Sequence, residues 1–311
     1  MRSLLWLVAF AMLPTGALAA GPDWAYPVIP QGLPKPDASK VIKVPGSDKE
    51  YNEVSVNDPF APPDWFPGDH APLPSVVANG VKPDVRACAL CHLTTGDGHP
   101  ESANIAGLNA AYIMRSLRDF ATGKRKGART GAMVPIAKAI SPDDARAAAE
   151  YFSARKQGDG YIKVVEQAEV PKTEVGEGAM RFVAKSGGTE PIGNRIIVVP
   201  QDEALARARD PRSGFIAYVP PGSIAKGEAL ANSGGGGKTV PCAICHGEGL
   251  HGLNEIPSIA GREPMYLARQ LMDIKSGART GTWTVLMNQV VAKLDDTDIV
   301  DLAAYVASRQ P

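Results

Sequence analysis

Cysteine is scarce: there are four in 311 residues, and none lies outside two short motifs. A disulfide framework needs cysteine pairs of its own, and this chain has none to spare. Net charge is also lacking, since 33 Lys and Arg face 33 Asp and Glu. No overall field therefore argues for nucleic acid or an anionic membrane surface. The longest apolar run, Leu4 to Leu13, is about half of what a membrane span requires. Glycine (32) and proline (27) are plentiful instead, which predicts much irregular backbone. The length leaves room for two domains of ordinary size.

The scarce cysteines sit in Cys88-Ala89-Leu90-Cys91-His92 and Cys242-Ala243-Ile244-Cys245-His246. On a helix, positions i, i+3 and i+4 share one face, so each motif presents two thiols and an imidazole together. That geometry suits covalent haem attachment, with each thiol adding to a vinyl group and the histidine ligating iron. A zinc half-site, a thioredoxin-like redox pair or coincidence would explain one copy. Two copies that consume every cysteine behind an export signal favour two covalently bound haem c groups. The signal is Arg2, the Leu4–Leu13 run, Pro14 and Ala17-Leu18-Ala19, read as a signal peptide over residues 1–19 cleaved after Ala19. The mature chain is then expected to carry no transmembrane segment and to reside in the bacterial periplasm or its equivalent.

A shift of 154 residues superposes the motifs and, without a gap, much else. Ile105-Ala106-Gly107 falls on Ile259-Ala260-Gly261, Tyr112 on Tyr266, Arg115 on Arg269, Asp119 on Asp273, Arg125 on Arg279 and Tyr151 on Tyr305. A competing match at a shift of 150 aligns Gly127–Gly131 with Gly277–Gly281 but would pair Met287 with Ala137. Apolar stripes at Ile113, Leu117, Phe120 and at Leu267, Leu271, Ile274 predict a helix after each motif. Ser141-Pro142-Asp143-Asp144 and the segment near Asp295 predict the starts of closing helices. Short helices are expected at 75–79 and 224–231. The Gly-rich run 233–238 lacks phosphate-loop spacing and is expected to be a flexible loop.

Under the 154 shift only one pair of methionines coincides, Met133 with Met287. Both are expected in a loop before the closing helix and are the candidate distal iron ligands, opposite His92 and His246. A thioether–histidine pair fills both axial positions and raises the reduction potential. His99 and His251 have no counterpart and are expected at the surface or in hydrogen bonds. His70 is a distant candidate ligand.

Outside the copies, residues 20–72 form a proline-rich segment whose Trp24, Tyr26, Phe60, Trp65 and Phe66 predict a partly ordered strap on a domain surface. Residues 158–219 are expected to be a linker with a small hairpin or sheet, from the β-rich runs Tyr161–Val165 and Arg195–Pro200. The domains proper are 73–157 and 220–311.

Carried by the two motifs, Pro257–Gly261, Tyr266–Leu271, Gly277-Ala278-Arg279, Met287 and Leu294–Ile299, the chain resembles class I cytochromes c, in particular the tandem dihaem carriers of bacteria. The resemblance spans 75–156 and 220–311. It implies a mainly α protein: two cytochrome c-like helical domains in tandem, with the strap and the β-containing linker as additions. It also implies Arg125 and Arg279 near haem propionates. The first copy departs from the pattern, with Leu93 and Ala103 where the second has Gly247 and Pro257. The expected function is electron relay, without a catalytic residue, between a dehydrogenase donor and an oxidase or cytochrome acceptor, entering at one domain and leaving at the other. A dihaem peroxidase or related oxidoreductase, which needs an open iron position, and the cytochrome subunit of a dehydrogenase complex are the alternatives.

Overall fold

The computed structural model describes residues 21–311; the expected signal peptide and its cleavage point after Ala19 lie outside the described residues. The strap carries a two-residue ribbon, β1 (Val41–Ile42) with β2 (Tyr51–Asn52), and a single turn α1 (Glu53–Val56) capped by Asn52. It does not merely lie on a surface. Trp24, Ala25 and Tyr26 are buried in the largest core of the molecule. Trp65 is 1% exposed, and its indole N–H donates to the Ala208 carbonyl.

The first helical unit comprises α2 (Ser75–Ala78), α3 (Cys88–His92), α4 (Ala110–Ala121), α5 (Met133–Ala139) and α6 (Pro142–Ser153). Ser141 caps α6 through the Asp144 N–H, with proline in the first turn as the sequence predicts. Leu108, Ile113, Ala148, Ala149 and Phe152 form its core.

The intervening segment holds most of the strands: β3 (Ile162–Glu166), β4 (Glu169–Pro171), β5 (Thr173–Val175), β6 (Arg181–Val183), β7 (Thr189–Pro191), β8 (Ile197–Pro200), α7 (Glu203–Arg207) and β9 (Phe215–Val219). The two β-rich runs do not pair with each other. β9 lies between them, parallel to β3 and antiparallel to β8, so of the expected hairpin or sheet the chain forms a mixed three-stranded sheet. β9 alternates buried and half-buried residues, the pattern of a central strand packed on both faces.

The second helical unit follows with α8 (Ser223–Ser233), α9 (Ala243–His246), α10 (Pro264–Lys275), α11 (Val285–Val291) and α12 (Asp296–Ala307). α4 and α10 begin 154 residues apart, as do α6 and α12. α8 crosses α12 at Gly227, where a Cβ would run into the Asp301 carbonyl; only glycine permits so close an approach. Its core is continuous with that of the sheet and of the strap. The glycine run after α8 forms a tight 3-10 turn, Gly234–Gly236.

Candidate functional site

Each Cys-x-x-Cys-His segment is a short helix whose following residue turns the chain at positive φ. In the second copy this is Gly247, φ 75°. In the first it is Leu93, φ 60° and ψ 169°, a region that costs a residue with a Cβ about 1–3 kcal/mol. Leu93 is 3% exposed and packs into the core shared with the intervening sheet. Burying a leucine contributes a comparable ~1.5–3 kcal/mol, which offsets the strained turn.

Both motif histidines are held in the same way. His92 Nδ1 lies 2.8 Å from the Ala103 carbonyl, and His246 Nδ1 lies 2.8 Å from the Pro257 carbonyl. An Nδ1–H donated to a carbonyl leaves Nε2 unprotonated, the form that ligates a metal. Burial pushes both imidazoles below their ordinary pKa, against the opposing effect of those carbonyl bonds. It pushes the Cys88 thiol up to about 12 and the Cys242 thiol up to about 11. Such thiols are un-ionised at neutral pH, unlike the thiolates of a reactive dithiol.

In the second copy, Cys242, Cys245, His246, Met287 and Arg279 line one apolar cleft. Leu267, Leu271, Ile274, Leu302 and Val306 supply its apolar wall, and Tyr112 and Arg115 of the first copy close one side. The Arg279 Nε is buried without a partner, so the cleft retains capacity for an anionic group. Two thiols, an imidazole, a thioether and a buried guanidinium around an apolar cleft fit a haem carrying propionates. In the first copy, Cys88 packs into the core and Cys91 lines a broad groove with His99, Glu101 and Arg129. Met133 opens α5, half-buried, and is not among the residues lining either cavity. Neither methionine lies in a loop: Met133 and Met287 both sit in the first turn of a seven-residue helix.

The copies meet through residues that correspond to each other. Arg125 and Arg279 face one another in an antiparallel bridge, flanked by Lys126 N–H to Ala278 O (2.9 Å) and Thr280 N–H to Lys124 O (2.7 Å). Arg125 donates to the Tyr266 hydroxyl (3.0 Å) and to Gln270 (2.8 Å), while Arg279 donates to the Tyr112 hydroxyl (3.1 Å) and to Gln270 (2.9 Å). Burial pushes the Tyr112 phenol up, but the Arg279 and Arg125 charges outweigh it and hold it at about 8. These contacts follow the 154 shift and not the 150 one. Tyr112 and Tyr266 were visible as a repeated pair, whereas Gln270, which faces Ser116 in the repeat, carried no signal. Arg262 is 3% exposed and donates to Asn104 and to the Ala106 carbonyl, welding the units further.

The remaining histidines divide. His251 is exposed. His99 is buried, not at the surface, with its ring 6.1 Å from that of Phe215 of the intervening sheet. His70 contacts the Ala71 carbonyl and Asp64 through its two nitrogens, which leaves neither for iron.

No protein-family model matches the chain. The thiosulfate dehydrogenase electron acceptor of Thiomonas intermedia (strain K12) is 26% identical over 232 residues, covering 73% of this chain and 80% of that protein. Cytochrome c4 of Stutzerimonas stutzeri is 25% identical over 233 residues, covering 71% and 84%. Cytochrome c-554(548) of Halomonas halodenitrificans (strain ATCC 12084 / NCIMB 8669) is 33% identical over 73 residues, which are 23% of this chain but 88% of that smaller protein. With nearly the whole of a small cytochrome matched at that identity, and two helices bearing the haem-attachment motif, the chain belongs to the cytochrome c family.

Proposed function

We propose that the protein is a periplasmic electron carrier with two covalently bound haem c groups. Cys88 and Cys91 attach one, Cys242 and Cys245 the other. His92 with Met133 and His246 with Met287 would hold the irons, and Arg125 and Arg279 would offset the charge of the propionates. The observation that carries this reading is the paired histidine geometry, Nδ1 on a backbone carbonyl at 2.8 Å in both copies. Each bond fixes a ring and its tautomer and raises its basicity as a ligand. When bound, each haem supplies a one-electron iron couple. The chain's own residues exclude water with the apolar wall of the cleft, and the interface arginines offset propionate charge.

A dehydrogenase as donor is supported by the Thiomonas relative, named as an electron acceptor of thiosulfate dehydrogenase; an oxidase or another cytochrome is the matching acceptor. Among the described residues no helix is long and apolar enough to cross a membrane, and the signal-like leader supports export. Intact mass of protein recovered from the periplasm tests the reading. It should equal the chain from Ala20 plus two haems, with a c-type visible spectrum that cyanide leaves unchanged. One haem, or haem extracted by acidified organic solvent, refutes it.

A further inference from the structure

The two helical units reach across to each other at the segments that lead into their methionines. Under the 154 shift Arg115 corresponds to Arg269, Glu101 to Glu255, Arg129 to Trp283 and Met133 to Met287. Arg115, on α4 of the first copy, pairs with the Glu255 carboxylate of the second and donates to the Glu255 backbone carbonyl at 3.1 Å. The same guanidinium lies over the Trp283 ring, 4.8 Å from its centroid. Arg269, on α10 of the second copy, pairs with Glu101 of the first, whose other partner is Arg129 at 3.3 Å. In both directions an arginine of one copy meets the loop glutamate of the other, beside the residue four positions before that copy's methionine.

The two segments are not tied equally. In the first copy Arg129 has a partner in its own unit, Glu101, and donates to the Pro27 carbonyl of the strap at 3.2 Å. In the second copy the ties come from the other unit. The Thr280 N–H and hydroxyl both donate to the Lys124 carbonyl, at 2.7 and 3.2 Å. The Asp119 carboxylate of α4 fills the space a Cβ on Gly281 would need. Within the second copy, among the described residues, 280–283 hydrogen-bond outward only to Thr284 and Leu286. Met287 in turn hangs on this stretch, since its N–H donates at 2.9 Å to the carbonyl of Thr284, the neighbour of Trp283. The path from Arg115 to Met287 is therefore short: guanidinium, Trp283, Thr284, methionine.

We propose that Arg115 of the first domain is a positioning residue for Met287 of the second, so that the distal ligand of the second iron is held in place by the neighbouring domain. The inference rests on the reading of Met287 as that ligand. A ligand on a short segment stays near its metal only while the groups behind it are fixed. Here Arg115 supplies that support by clasping Glu255 and Trp283 together. Its side chain is 19% exposed and that of Glu255 46%, so the clasp contributes little to folding and its loss leaves the fold standing. The first iron has no such dependence on a single contact, because the Arg129 segment is also tied to its own unit and to the strap.

The test uses the two-haem protein with cyanide as probe. Met287→Ala and Met133→Ala first assign the weak far-red thioether–iron band and the cyanide response of each iron. Arg115→Ala should then weaken the band of the second haem alone and raise cyanide affinity at that iron about tenfold, within the usual range of coupling between sites. The first haem should keep its band and its cyanide response. Arg115→Lys, which keeps a cation over Trp283, should restore most of the parent behaviour. An Arg115→Ala protein with both bands and both cyanide affinities unaltered overturns the inference. So does a loss confined to the first haem, on whose own helix Arg115 sits, or an equal loss at both, which marks general loosening. A lower potential with band and cyanide affinity unchanged reflects the missing charge alone and overturns it too. If Met287→Ala leaves its band in place, the ligand reading fails and the inference with it; if that band is lost while Arg115→Ala changes nothing, only the positioning role fails.

Discussion

Arg269 and Glu101 meet across the two helical units, Nη1 to Oε2 at 3.5 Å, each with a side chain 3% exposed. The corresponding pair, Arg115 with Glu255 at 2.5 Å, is 19 and 46% exposed. One contact is therefore made twice, once in the dry and once in the wet. Arg269 also donates to the carbonyls of Ala25 and Pro100, which ties the strap to both units. Removing Arg269 leaves the buried Glu101 carboxylate with Arg129 alone, at 3.3 Å. Arg269→Ala should lower unfolding free energy by about 3–5 kcal/mol. Arg115→Ala should cost about 1 kcal/mol or less. Urea titrations of the two variants measure the difference, and equal losses would contradict the assignment of burial.

A second corresponding pair separates the copies by rigidity. A Cβ at Gly127 would strike the Asp273 carboxylate, and one at Gly281 would strike that of Asp119. Asp273 is buried and accepts the Tyr26 hydroxyl at 2.8 Å, so it has little room to yield. Asp119 is only half-buried. Gly127→Ala should cost about 1–3 kcal/mol and Gly281→Ala less, read from denaturant midpoints at equal slopes.

The methionines make a spectroscopic prediction. Met287→Ala should abolish the weak far-red thioether–iron band of one haem, open that iron to cyanide and lower its potential, since a soft thioether favours ferrous iron. Met133→Ala should do the same for the other haem. A Met133→Ala protein with unaltered band and cyanide response would show that the first iron takes its sixth ligand from elsewhere.

His99 makes a pH prediction. Burial, then the Arg209 charge and then His92, push it down from 6.5 to about 3. A depressed base keeps its contribution to stability above pH 6.5 and loses it as pH falls toward 3, because only the unfolded chain takes up the proton. His99→Leu, which installs the residue found at 253, should flatten stability across that window without reducing it at pH 7. Thermal melts at stepped pH, compared with the parent, decide it.

What could be read from the sequence is what depends on neighbours along the chain. The i, i+3, i+4 spacing of Cys88, Cys91 and His92, the Ser141 and Asp295 caps and the 154-residue spacing of helix starts are local or periodic, and the structure displays each. The carbonyl anchoring His92 at Ala103 was open to the same reading, because any residue supplies a carbonyl and the loop length is shared. Other features escaped. β9 inserts between the two β-rich runs, since register between strands is set by pairing that no single segment encodes. The helical setting of Met133 and Met287 escaped too, their segments being short and without a strong apolar period.

Local sequence sets the chemistry on offer: two thiol–thiol–imidazole helices, one in each copy of the 154-residue repeat. Tertiary structure alone decided that the domains are not equivalent. Tyr26 reaches Asp273 across 247 residues and Arg209 reaches the Leu90 carbonyl across 119. Contacts of that range bury Leu90, His99 and Glu101 while Ile244, Leu253 and Glu255 stay open to water. Burial is a property of what packs from elsewhere in the chain, so two nearly matching stretches acquired opposite environments.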